Sequence, residues 1–257
     1  MTILNKLKTL MSYRNVYENW ISIILARYGF LGKGFIVSKL KNGLEIKSRK
    51  MSMDYAAMSE VFVRKDYNKF FEVKENDTVI DVGAHIGSFS ALAGSKGANV
   101  YSFEPEKNNF KLLKENVKTN LLTEKIKCFN LAVDMKRGTD FLYMSKNLGA
   151  HSFFNEWAKT SEKQKIKKIT IKDVFAMNKL NKCDFLKMDC EGAEYNILFN
   201  TPKSVLEKME KIAMEYHVVE EKSGEAMKEF LEKNGFKVIM TEPSDIGTGM
   251  IYAVKND

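Results

Sequence analysis

A chain of 257 residues, 44% of them hydrophobic, can bury one full core and lies near the upper range for a single domain. Its 41 Lys and Arg against 33 Asp and Glu leave a formal charge of +8, and its three cysteines, Cys128, Cys183 and Cys190, lack paired or metal-ligand spacing, which excludes a disulfide scaffold and a cysteine-based zinc site. The longest apolar run, Trp20 to Ala26, is far short of the ~20 residues of a membrane-spanning helix, and no signal peptide is read, so the expected location is cytoplasmic.

The net charge is concentrated at one end. Residues 1–50 hold ten basic and two acidic residues, 10 − 2 = +8, while the remaining 31 basic and 31 acidic residues cancel. Such a segment is either a solvated helix face or an arm that meets an anionic partner: nucleic acid, a membrane surface or a phosphorylated glycan. Leu4, Leu7, Met11, Ile21, Ile24 and Leu25 give it an apolar stripe that must pack on its own domain, another subunit or lipid headgroups. The runs Phe35 to Lys41 and Leu44 to Lys47 then alternate around Asn42-Gly43, a strong hairpin signal. The expected organisation is a basic helical and hairpin extension over residues 1–50 and a main domain over residues 51–257.

A helix near 54–63 leads into strands expected near 78–82, 99–104, 126–132, 184–189, 211–217, 236–241 and 249–254. Helices alternate with the first five; those at 107–121 and 224–234 carry clear apolar faces. Between the last two strands there is no helix, so they must pair as a hairpin, giving a mostly parallel sheet with one antiparallel strand. The first strand runs through Val79, Ile80 and Val82 into Asp81-Val-Gly83-Ala-His-Ile-Gly87, a tight strand-to-helix turn of the kind that holds nucleotide cofactors. Its spacing is D-x-G-x-x-x-G, not the G-x-G-x-x-G of dinucleotide sites, which argues against a nicotinamide-dependent oxidoreductase. Glu104 ends the next strand, 104 − 81 = 23 residues after Asp81, close to the ~20 expected for an acid that grips ribose. The same Glu-Pro-Glu also suits the start of a helix.

DVGAHIGSFS (Asp81 to Ser90), YSFEPEKNNF (Tyr101 to Phe110), NLAVD (Asn130 to Asp134) and FLKMDCEGAEYNIL (Phe185 to Leu198) together resemble the FkbM-type methyltransferase family. KLKNGLEI (Lys39 to Ile46) and EVFVRKDYNKF (Glu60 to Phe70) extend the similarity, which covers about residues 35–257. The resemblance implies S-adenosylmethionine as cofactor and a hydroxyl as acceptor. It also implies an α/β class I methyltransferase (Rossmann-like) fold, a mostly parallel seven-stranded sheet with one antiparallel strand and helices on both faces. The cofactor site it implies takes Asp81, Gly83, Ala84, His85, Gly87 and Ser88 from the first loop, Glu104 and Pro105 from the second, Ala132, and Asp189, Cys190 and Glu191 after the fourth strand. The chain departs from the family where Asn is common, at His85, and where Val or Ile is usual, at Cys190.

Polar residues at the carboxyl ends of strands are the candidates for chemistry in such a sheet. Asp189 falls where the family places a residue near the transferred methyl group; alternatively it caps a helix starting near Gly192. Glu215 and His217 share a face of the fifth strand by alternation. An alcohol acceptor must lose a proton, and an imidazole near neutral pKa suits that task, so His217 is the first candidate base and His151 the second. Asp189, Glu215 and His217 together also form a candidate set for a divalent cation, a reading placed behind a metal-free site. The acceptor expected is a sugar, glycan or small polyol. The basic arm keeps an RNA-binding or RNA-methylating alternative open, although no RNA-recognition motif and no Asn-Pro-Pro-Tyr or Asp-Pro-Pro-Tyr loop is present.

Overall fold

In the computed structural model, which describes residues 11–143, 162–218, 223–244 and 247–256, the expected N-terminal helix is broken. Residues 11–16 are helical, Tyr17 leaves the helix to bridge Leu40, and helix α1 then runs Trp20–Arg27. Strands β1 (Phe35–Lys39) and β2 (Glu45–Arg49) form the hairpin around Asn42-Gly43. Helix α2 (Asp54–Met58) widens into a π turn over Ser59–Val63, where the Arg64 amide reaches back five residues to the Ser59 carbonyl at 2.7 Å. Such turns recur at functional sites.

The main sheet alternates strands and helices as the apolar spacing dictates. Its first half is β3 (Thr78–Val82), α3 (Ser88–Ser95), β4 (Asn99–Phe103), α4 (Lys107–Thr119) and β5 (Ile126–Phe129). Its second half is β9 (Phe185–Met188), α6 (Glu194–Phe199), α7 (Lys203–Leu206), β10 (Lys211–His217), α8 (Gly224–Lys233), β11 (Phe236–Met240) and β12 (Thr248–Lys255), with α5 (Ile171–Met177) crossing before β9. The strand order is β11-β12-β10-β9-β3-β4-β5; β12 runs antiparallel to both neighbours and the remaining pairs are parallel. This is the mostly parallel seven-stranded sheet that the resemblance implied. One core packs Val79, Val100 and Phe185 under α1, the hairpin, α3 and α4, and the other packs Ile80, Leu186 and Met214 under α5, α6, α7 and α8.

The strand expected over 126–132 is shorter and splits. β5 ends at Phe129, and Ala132–Val133 (β6) pairs instead with β8 (Lys163–Ile169), which also holds β7 (Gly138–Tyr143). The break is fixed at Asn130, whose side-chain amide donates to the carbonyls of Glu104 (2.9 Å) and Pro105 (3.0 Å). This small second sheet buries Ala132, Leu142 and Ile166 together.

The hairpin is bonded into the domain on its β2 edge. Exposed backbone groups on an edge strand need partners, and here Asn116 of α4 and Asn120 at its C-terminal cap supply them: the amides of Lys47 and Glu45 donate to their side-chain Oδ1 atoms at 2.8 Å each. Among the described residues, no helix is long and apolar enough to cross a membrane.

Candidate active site

The carboxyl ends of β3, β4, β9 and β10 open onto one cavity of about 440 Å³, within the ~300–1,000 Å³ of small-molecule sites. Of the cofactor residues expected from sequence, Gly83, His85, Glu104, Pro105, Ala132, Asp189, Cys190 and Glu191 line it. Asp81, Ala84, Gly87 and Ser88 do not. They are buried behind the wall, and the reasons are local. Asp81 accepts the Ser90 hydroxyl at 2.5 Å and faces the Lys187 ammonium at 3.3 Å. Gly87, at φ +86°, leaves room for a neighbouring helix and not for a ligand: a Cβ there would lie 2.5 Å from Leu113 Cδ1 of α4.

Gly83 lines the cavity, yet its lack of a side chain is required by the protein itself. With φ +76°, a Cβ would fall 1.7 Å from the carbonyl oxygen of Asp189. Any side chain at this position therefore forces apart the segments that follow β3 and β9.

Glu104 is set in place by the backbone. One carboxylate oxygen accepts the His85 amide and the other the Glu106 amide, each at 2.8 Å, while the side chain remains on the cavity wall. Burial pushes it up to about 7, a rise that the two amide bonds limit. Helix α4 is capped by the next acid, Glu106, whose carboxylate accepts the amides of Asn108 and Asn109, so Glu104 is free of the helix-starting role. Phe103, Pro105, Ala132, Val133 and Leu142 make an apolar wall beside it. A rigid carboxylate next to an apolar slot suits a ribose and its base.

His85 adopts a left-handed conformation, φ +52°, and is held by a network that sequence reading did not foresee. Asp54, fully buried, takes Arg49 in a bidentate pair (2.6 and 3.0 Å) and lies 3.3 Å from His85 Nε2; Arg49 also donates to Asn109 Oδ1 at 2.6 Å. Burial lowers His85 to about 4, against the pull of Asp54, so the ring is neutral at physiological pH. The hairpin, α2, the first loop and α4 thus meet at one buried charge pair that crosses residue 50.

The same cavity is lined by a cluster of acids. One ligand atom from each of Asp189, Glu215 and His217 falls within 4.8 Å of the others, the convergence that strand alternation implied. Asp189 accepts the Tyr67 hydroxyl at 2.9 Å and caps no helix, for α6 begins after Ala193 without a side-chain cap. Burial raises Glu215 to about 8, with Asp189 adding repulsion, and burial raises Glu60 of the π turn to about 7. His217 lies between two carboxylates, Nδ1 3.2 Å from Glu194 and Nε2 3.4 Å from Glu191. Burial disfavours its charge, but these two partners outweigh it and carry the imidazolium up to about 11. The expectation of an imidazole titrating near neutrality is therefore corrected. His151 lies outside the described residues.

Lys187 is the residue that sequence reading passed over. Buried in β9, it donates to the Gly83 carbonyl at 2.7 Å and lies 4.0 Å from Asp189. Burial opposes its charge, but Asp81 and Asp189 hold it above the ordinary lysine range. A lysine inside an otherwise apolar parallel strand was the available signal.

The sequence profile of the methyltransferase FkbM domain matches residues 81–238, more than half of the chain. The chain belongs to the FkbM methyltransferase family. Its fold resembles an FkbM methyltransferase from Methylobacillus flagellatus (TM-score 0.51, 18% identity, 76% of this chain and 47% of that one). It also resembles an S-adenosylmethionine-dependent methyltransferase from Aquifex aeolicus (TM-score 0.42, 16% identity, 78% of this chain and 93% of that one). A stretch of 58 residues is 38% identical to a tRNA (guanine(37)-N(1))-methyltransferase from Trichomonas vaginalis, covering 23% of this chain and 15% of that protein. The chain thus spans less than half of the Methylobacillus protein. Family membership implies S-adenosylmethionine as cofactor, and the cradle formed by Gly83, His85 and Glu104 fits its ribose.

Proposed function

We propose that this FkbM-family chain transfers a methyl group from S-adenosylmethionine to a hydroxyl of a sugar, glycan or similar small polyol. The observation that carries the reading is one cavity lined both by the rigid Glu104 carboxylate and by Asp189, Glu215 and His217. When bound, the cofactor supplies an activated methyl on a sulfonium whose neutral thioether leaving group needs no acid. Glu104 would hold the cofactor by accepting hydrogen bonds from its ribose hydroxyls. The acceptor alcohol must give up a proton, and Glu215, its carboxyl raised toward the operating range, takes it. His217 already holds its proton, so its part is to fix Glu191 on the cavity wall, while the buried Glu194 holds the other side of the ring.

The test is turnover with a panel of sugars, glycans and RNA, using isotopically labelled S-adenosylmethionine. Glu215→Gln is expected to lower turnover at least ~100-fold while leaving the affinity for S-adenosylhomocysteine unchanged. Methylation of RNA with no transfer to any polyol would overturn the substrate class.

One observation favours a second reading. The mutual distances of Asp189, Glu215 and His217 suit a divalent cation, which would have to displace the proton of His217 on binding and would then orient a hydroxyl and ease its deprotonation. Calorimetric titration with Mn²⁺ tests it: binding by the parent protein that disappears in Asp189→Ala supports the site, and heats equal to buffer reject it.

A further inference from the structure

Apolar side chains on a soluble surface are usually scattered, so a cluster of them asks what covers it. Helix α1 turns Ile23 and Ala26 into the core and leaves Ile21, Leu25 and Tyr28, spaced by four and three residues, on its outer face. The turn that follows exposes Phe30 (76%) and Leu31, and next to it stand Met51 (57%) and Met53. These residues form one ridge. The Lys50 amide donates to the Gly34 carbonyl at 2.8 Å and its ammonium to the Leu31 carbonyl at 2.9 Å, and the Met51 side chain lies over Gly29.

The charge around this ridge has one sign. No Asp or Glu occurs between Glu18 and Glu45, whereas Arg27, Lys33 and Lys41 are exposed there; Lys39 is paired with Glu45 at 3.8 Å. We propose that this ridge docks the protein on a membrane surface rich in anionic lipid, with Tyr28, Phe30, Leu31 and Met51 entering the interface and Arg27, Lys33 and Lys50 meeting the headgroups. Aliphatic and aromatic tips ringed by Lys and Arg are what an interfacial segment presents to anionic lipid. A second copy of the chain is a poor occupant, because a two-fold interface would face this acid-free, basic surface with itself. RNA is less well matched, because only Tyr28 and Phe30 offer a stacking plane, while Ile21, Leu25, Leu31 and Met51 offer none. Met53, two residues beyond Met51, is exposed and lines the cavity, so docking sets the cavity near the headgroup layer. The proposal does not depend on the chemistry assigned to that cavity.

Sedimentation of the full chain with phosphatidylcholine vesicles, with and without phosphatidylserine, tests it. Binding is expected to phosphatidylserine vesicles alone and to weaken with salt. The double substitution Phe30→Ser, Leu31→Ser should lower the partition coefficient at least ~10-fold, and Lys33→Glu about fivefold or more. Both lie outside the cavity, so their melting temperatures and affinity for S-adenosylhomocysteine should match the parent. Failure of the parent to bind phosphatidylserine vesicles overturns the proposal, as does binding that survives both variants. A solution dimer that Phe30→Ser, Leu31→Ser dissociates, or RNA binding that the same change abolishes, assigns the ridge to that partner and overturns it too.

Discussion

Exchanging Glu104 for Gln separates the cofactor role of this carboxylate from its structural one. The parent carboxylate accepts two backbone amides, from His85 and Glu106, and still faces the cavity. The amide side chain keeps one acceptor oxygen and turns an NH₂ group toward the second amide, so one buried N–H loses its partner at ~1–3 kcal/mol of stability. Loss of the charge-assisted bonds to ribose hydroxyls should cost ~2–4 kcal/mol of cofactor affinity, or about 30-fold to 1,000-fold. Isothermal titration with S-adenosylhomocysteine measures the second quantity and chemical denaturation the first. There is also a pH signature. Glu104 is raised to about 7 by burial, above its ordinary range, so its protonated form stabilises the fold at low pH, and that contribution is lost as pH rises through about 7. Ribose hydroxyls favour the ionised form, so parent affinity should climb with pH through the same range and the Gln variant should show no climb. Affinity within twofold of the parent at pH 8, in a variant that melts cooperatively, would refute the ribose assignment and leave Glu104 as a loop brace.

Gly83→Ala should destabilise the protein by more than ~3 kcal/mol or prevent its soluble expression, because its Cβ would fall 1.7 Å from the Asp189 carbonyl oxygen; urea unfolding decides. Asp54→Ala leaves the Arg49 guanidinium buried without its partner and should cost ~3–5 kcal/mol, together with a measurable loss of cofactor affinity through His85. For His217→Gln the expected stability loss depends on pH. The imidazolium is raised to about 11 from an ordinary 6.5, so its contribution is complete below about 6.5 and fades as pH rises through about 11. Parent and variant should therefore differ most at pH 6 and converge steadily toward pH 10, and a difference that grows with pH contradicts the ion-pair assignment.

Much of the fold was legible because its signals are local. Val79, Ile80 and Val82 read as a strand buried on both faces, Asn42-Gly43 as a hairpin turn, and the absence of a helix between the last two strands as an antiparallel pair, and each feature is present. The small second sheet was not legible. β6 has two residues, and β8 alternates lysines with its few apolar positions, so neither carries a strand signal of its own; among the described residues they pair only with each other and β7, past the point where Asn130 bonds across to Glu104 and Pro105.

The site divides along the same line. Glu104 could be found because it lies a fixed count beyond Asp81, and Glu215 with His217 because alternation puts both on one face of β10. Which carboxylates would surround His217 could not be found that way. Glu191 reaches it from the turn after β9 and Glu194 from the first residue of α6, while Glu60 comes to the neighbouring Glu215 from a π turn in another part of the chain and Tyr67 crosses to Asp189 from 122 residues away. Proton affinity is set by such neighbours and by burial, so the identity of a histidine in a sequence gives its ordinary pKa and not the one it works at. That is why the near-neutral group in this cluster is a carboxyl, Glu215, and why the imidazole keeps its proton. The same reasoning governs Lys187: its charge is tolerated inside the sheet because Asp81 faces it across β3 and the Gly83 carbonyl accepts from it, and removing either acid or lysine should loosen the loop that Gly83 begins.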